Sequence, residues 1–167
     1  TFHSLVIIRE KKIIFENYYN GLSRDVLHPL DAATKSVVSV LAGILMKENS
    51  SVSADMLIIE AMPGYEHHYI DVPQKDQIRL RDIMSNSSGL WWDEWSSPYT
   101  DPANDAAAMQ KQSDWTDWVL TKPMIREPGQ SFNYNSGNAI LTGRVIEYFA
   151  GTNIEEYAAS RLFAPLG

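Results

Sequence analysis

Lys35 stands at the head of an apolar run, Val37 to Met46. A lysine one turn into a helix can act as the base for a hydroxyl three residues before it, because positions three apart share a helix face. The start of a helix carries the positive end of the backbone dipole, which favours a developing alkoxide. Burial lowers a lysine's hold on its proton and so makes it a better acceptor. This combination would let Lys35 take the proton of a serine at position 32, but position 32 is Ala. No Ser anywhere in the chain has a Lys three residues after it, so the pair has not slipped in register. Ser36, one step past the lysine, points to a different helix face and cannot replace the missing hydroxyl. From this segment alone, Lys35 is either the base of a nucleophilic pair without its nucleophile or a solvated surface lysine.

Other chemistry-bearing residues are weaker candidates. His67 and His68 are adjacent, so on a helix they would diverge, and no carboxylate cluster makes a metal site obvious. No metal site is expected from them. Trp91, Trp92 and Trp95 follow Ser87-Ser88-Gly89-Leu90 and could either wall an acyl or aromatic pocket or serve as packing anchors. Asp93 and Glu94, between them, are expected to be solvated.

The bulk properties narrow the function classes. The chain has 167 residues, 44% hydrophobic and 21% charged, which suits one soluble globular domain with a real core. A net charge of −7 with no basic stripe makes nucleic acid an unsuitable partner. The absence of Cys excludes disulfides and thiolate metal sites. The longest strongly apolar stretch contains Ser39 and Gly43 and is too short to span a bilayer. The chain begins at Thr1 with neither an initiator Met nor a signal-peptide pattern, which is expected of a trimmed product and leaves the compartment open.

The elements that must position these residues are one hairpin and a succession of helices. Residues 4–18 give two β-rich runs around a charged turn at Arg9 to Lys12, the hairpin of a segment 1–20. Gly21 and Pro29 break the next loop, and residues 21–167 are mostly helical. Val37, Val38, Leu41, Ile44 and Leu45 recur at helical spacing over about Ala33 to Glu48, and this helix, apolar on most sides, should be central. A short helix from Leu80 breaks at Ser87 to Gly89, and residues 91–102 read as irregular. Further helices are expected near 103–111, 114–121, 139–149 and 154–162, with a turn-rich loop at 126–138. A two-stranded hairpin alone leaves both edges open, so it needs covering helices or further strands; strands outside this chain are the expected partners.

Three phrases in order carry a resemblance: "ATKSVVSVLAGIL" (33–45), "LRDIMSNSSGL" (80–90) and "EPGQSFNYNSGNAILTG" (127–143). With the closing "LFAPLG" they resemble the penicillin-recognising serine hydrolases, nearest to class C β-lactamases and their esterase, DD-peptidase and amide-hydrolase relatives. The resemblance implies an α+β fold, β-lactamase/DD-peptidase-like. Here it would comprise the N-terminal hairpin and helical region and lack the C-terminal three strands and helix that pair with the hairpin. It places Lys35 at the family's lysine and Ala32 at its nucleophilic serine. Tyr134 and Ser136 would match the second motif, Tyr134 shuttling a proton and Ser136 bonding the lysine or the substrate carbonyl. The structural alternative makes Tyr134 a packed turn residue before Ser136 as helix N-cap. Trp91, Trp92 and Asn138 would contact substrate. Ser136 in place of the family's Asn argues away from a β-lactam preference. The third motif, Lys-Thr-Gly or His-x-Gly, has no match.

The resemblance therefore implies a serine hydrolase acting on an amide or ester through an acyl-enzyme, inactive as written because Ala32 replaces the nucleophile. No cofactor is expected, the partner being a small-molecule or peptide substrate. The resemblance favours the bacterial cell envelope or secretion, with the cytoplasm an alternative. A natural pseudoenzyme binding peptide or cell-wall fragments is the competing reading. A helical interaction module without a site would make the ordered motifs coincidental.

Overall fold

The structure is a computed structural model describing residues 2–70, 72 and 74–167. It divides into two compact units, one ending at Ala32 and the other running from Ala33 to Gly167.

The first unit is an antiparallel hairpin of β1 (Ser4–Arg9) and β2 (Lys12–Tyr18), paired from Ser4 with Tyr18 to Arg9 with Lys12. Glu10 and Lys11 form its two-residue turn with φ of 50° and 64°, the left-handed geometry whose twist matches that of the strands. The register shifts between Ile7 and Ile8, which pair with Phe15 and Ile13, so Ile14 is the extra residue of a bulge. Tyr19 N–H donates to His3 O and the Asn20 amide to Phe2 O, extending the closure beyond the ladder. No strand residue is buried, and only Tyr18 is half-buried.

The second unit is helical. Its elements are α1 (Thr34–Glu48), α2 (Leu80–Met84), α3 (Asp105–Met109), α4 (Trp115–Thr121), α5 (Ser136–Ala150), α6 (Ile154–Ala158) and α7 (Ala164–Leu166). A wider helical turn, Ala159–Phe163, joins the last two, so the helix expected over 154–162 is divided. Short 3-10 turns punctuate the long connection between α1 and α2.

The central helix is α5, not α1. Within α5, Leu141, Val145 and Ile146 are fully buried along with Gly137, Asn138, Thr142 and Gly143, and it packs on α1, α2, α4 and α6. In α1 only Leu41, Ala42 and Leu45 are buried, and Val40 is exposed. The α5 helix also starts three residues before the expected position. Asn135 caps it by accepting from Asn138 N–H at 3.2 Å, which ends the turn-rich loop early. Gly137 is required there by space: a Cβ would lie 2.6 Å from the Val119 side chain of α4. Among the described residues no helix is long and apolar enough to cross a membrane.

Candidate active site

Position 32 lies in a single 3-10 turn, Asp31–Ala33, that runs straight into α1. Asp31 has φ of 45°, a left-handed conformation uncommon for a residue with a side chain. Ala33 supplies no side-chain cap for the N–H groups at the head of α1. Lys35 sits in the first turn of α1 and is half-buried. Its ammonium lies 4.8 Å from the centre of the Tyr134 ring, within cation–π range. A cavity of about 30 Å³, room for a water or two, lies against Lys35, Ser39, Asn86 and Thr142.

Lys35 is not the most buried lysine. Lys75 is 3% exposed and donates to Leu120 O at the end of α4. Burial holds the Lys75 ammonium below the usual lysine range, and the carbonyl it caps gives it a structural task.

Tyr134, Asn135 and Ser136 straddle the start of α5. Ser136 is the first helical residue and Asn135 the cap, which corrects the alternative of Ser136 as cap. Ser136 instead donates twice to Glu94, from its N–H to Oε2 and from its hydroxyl to Oε1, both at 2.9 Å. Glu94 also accepts from Tyr99 OH at 2.9 Å and from the Trp92 indole N–H. Four donors therefore converge on one carboxylate that is 1% exposed. The expectation of a solvated Glu94 is overturned: its donors replace water, and Trp92 is buried beside it. Burial first, then the bond to Glu94, pushes the Tyr99 phenol up to about 12. Asp93 is the more open of the two acids, and its carboxylate accepts from the Ser96 and Trp95 N–H groups, which hold it below the ordinary carboxylate range.

This clamp has a chemical consequence for Ser136. With its proton committed to Glu94, the Ser136 hydroxyl presents lone pairs to its surroundings and acts as an acceptor. It suits a lysine ammonium or a substrate N–H rather than a substrate carbonyl.

The aromatic residues separate by role. Trp92 and Asn138 are 3% and 1% exposed and offer no surface to a substrate; both pack the interior. Trp91 is 48% exposed, while Trp95 is 70% exposed with its ring 5.2 Å from that of Tyr134. Trp95 is thus the tryptophan that stands beside the tyrosine.

Asn86, which sequence reasoning passed over, links the second and third phrases. Its carbonyl accepts from Asn133 N–H at 2.7 Å. Its side-chain oxygen accepts from Asn135 N–H at 3.3 Å and the Asn138 amide at 3.2 Å. It holds this position at a φ of 55°, which Asn tolerates better than most residues. The available signal is the Ser85-Asn86-Ser87-Ser88-Gly89 run, which the resemblance includes without giving Asn86 a role. A Cβ on Gly89 in that run would collide with Arg126 O, so this loop packs backbone to backbone.

Comparison with known proteins identifies the family. The Beta-lactamase family profile matches residues 3–167, and the chain belongs to that family. The chain is 20% identical to a candidate D-alanyl-D-alanine carboxypeptidase of Escherichia coli K12 over 98% of its own length and 41% of the other. It thus spans about two-fifths of the curated relatives it matches. The D-amino acid amidase of Ochrobactrum anthropi SV3, solved with D-phenylalanine, superposes with a TM-score of 0.72 at 22% identity, covering 98% of this chain and 45% of that one. A candidate 6-aminohexanoate-dimer hydrolase of Bacillus anthracis superposes with a TM-score of 0.73 at 16% identity, covering 96% and 43%. An N-terminal hairpin leading into a helical region is the α+β arrangement of this architecture.

Proposed function

We propose that this chain carries the lysine and tyrosine motifs of a serine hydrolase acting on an amide or ester by an acyl-enzyme, silenced by Ala32. The observation that carries this reading is the meeting of Lys35 and Tyr134, far apart in sequence, at 4.8 Å. With serine at position 32, the hydroxyl oxygen would attack the substrate carbonyl. Its proton would pass to Lys35 or Tyr134 and then to the leaving amine or alcohol. Water would then release the acyl group. Ser136, oriented by Glu94, would accept a hydrogen bond from the lysine and hold it in place. The relatives named above, a carboxypeptidase, an amidase and a 6-aminohexanoate-dimer hydrolase, support an amide as the substrate class. Removal of such a nucleophile typically lowers kcat by about 10⁶.

The test is intact mass before and after incubation with an activated ester and with a penicillin. The proteins are the Ala32→Ser chain and the same chain extended by the C-terminal block that the family carries. A covalent gain that disappears in Ala32→Ser/Lys35→Ala supports the acyl-enzyme reading. No gain from a folded, extended Ala32→Ser protein overturns it in favour of a binding pseudoenzyme.

A further inference from the structure

We propose that His67, His68 and Asp117 bind a divalent first-row transition-metal ion, with Zn²⁺ as its natural probe, clipping the turn Glu66–His68 to α4. The adjacent histidines were expected to diverge. In the structure their rings lie 4.0 Å apart and both turn toward one carboxylate. His68 Nε2 is 2.7 Å from Asp117 Oδ1 and His67 Nε2 is 3.6 Å from the same oxygen. One ligand atom from each residue lies within 4.8 Å of the other two. Donors on a tetrahedral Zn²⁺, each about 2.0–2.2 Å from the ion, stand roughly 3.3 Å apart. The separations of 2.7 and 3.6 Å from the Asp117 oxygen bracket that spacing.

The two segments are already held for the purpose. Tyr65 OH donates to Asp114 Oδ2 at 2.8 Å, a second tie between the same turn and the same helix. Asp114 Oδ1 in turn accepts from Asp117 N–H at 2.9 Å and fixes the first turn of α4. Gly64 N–H donates to the Glu66 carboxylate and closes the turn that carries the histidines. Little ordering is left for the ion to impose, which favours affinity. The His68 side chain is 10% exposed, while those of His67 and Asp117 are 62% and 45% exposed. The ion therefore has a buried anchor and an open approach, and water completes its coordination. Two imidazoles and a carboxylate suit Zn²⁺, Co²⁺, Ni²⁺ or Cu²⁺ and are too nitrogen-rich for Ca²⁺ or Mg²⁺.

The site would steady α4, whose Val119 packs against Gly137 one residue past Ser136. The inference stands on residues apart from the proposed chemistry and is read without activity.

The experiment is calorimetric titration of the untagged, metal-stripped chain with Zn²⁺, paired with thermal melts at rising Zn²⁺. One equivalent should bind and Tm should climb with concentration. His67→Ala and Asp117→Asn should each weaken binding by about tenfold or more, while their metal-free Tm stays near that of the parent. His3→Ala serves as the control, because His3 Nδ1 and His28 Nε2 form a rival pair 3.0 Å apart in the N-terminal unit. Binding that survives both His67→Ala and Asp117→Asn, or is lost in His3→Ala, overturns the site. So does the absence of heat and of any Tm shift at millimolar Zn²⁺.

Discussion

Ile13, Ile14 and Phe15 of the hairpin are as apolar as Leu41, Leu45 and Ile146 of the helical unit, yet they expose 51%, 59% and 43% of their surface against 1%, 3% and 0%. The hairpin is specified locally: a two-residue turn, a ladder and a bulge set its register without any interior. The helical unit is specified at a distance, by side chains that meet only when α5 is surrounded. Pairing can therefore be written into a short run of consecutive residues, whereas a site such as the Glu94 clamp exists only in the assembled unit.

The sharpest way to break this contrast is to remove the same atoms from both regions. Ile146→Ala should destabilise the chain by about 2–5 kcal/mol, since the site is closed on all sides. Ile14→Ala, removing the same carbons, should change stability by about 0.5 kcal/mol or less. Urea denaturation of both variants measures the difference, and equal losses would mean that the hairpin has an interior after all.

Glu94→Gln comes next in size. The amide presents an NH₂ where the carboxylate accepted, so buried donors lose their partner at a cost of about 1–3 kcal/mol. On the proposed function, it should also slow acylation in the Ala32→Ser background, as Ser136 is freed to rotate. Unchanged stability would show that the clamp is dispensable.

The smallest effect is expected at Tyr99. Its phenol is pushed up to about 12 in the folded chain, against 10.0 ordinarily, so between those values the unfolded chain loses the proton while the folded chain keeps it. The unfolded state then binds fewer protons, and stability falls as pH rises through this window. The stability difference between the parent chain and Tyr99→Phe should be constant below about pH 10 and shrink toward about pH 12. A constant difference throughout would show that neither burial nor the bond to Glu94 raises the phenol.

The sequence revealed most where chemistry and periodicity are local. The hairpin bounds and α1, expected from about Ala33 and observed from Thr34, could be read from neighbours a few residues apart. The role of Glu94 could not, because its donors lie both within the same loop and at Ser136, and an acid between tryptophans gives no hint of which side faces in. Trp92 and Asn138 depart from expectation for the same reason: the resemblance implies contact with substrate, and packing buries both. Adjacent histidines diverge on an α-helix, but here His67 and His68 sit in a 3-10 turn and share a carboxylate of α4. The primacy of α5 over α1 likewise depends on how many helices surround each, which periodicity does not report.

The turn Asp31–Ala33 has no buried residue. Exchanging Ala32 for Ser adds one oxygen to a solvent-facing methyl group, a change within about 0.5 kcal/mol for the fold. On the proposed function, reactivity and foldedness are separable traits at this position. A silenced and a competent copy would express, melt and resist proteases alike. Screens that score only for intact protein would pass both, and only a reagent that forms a bond would tell them apart.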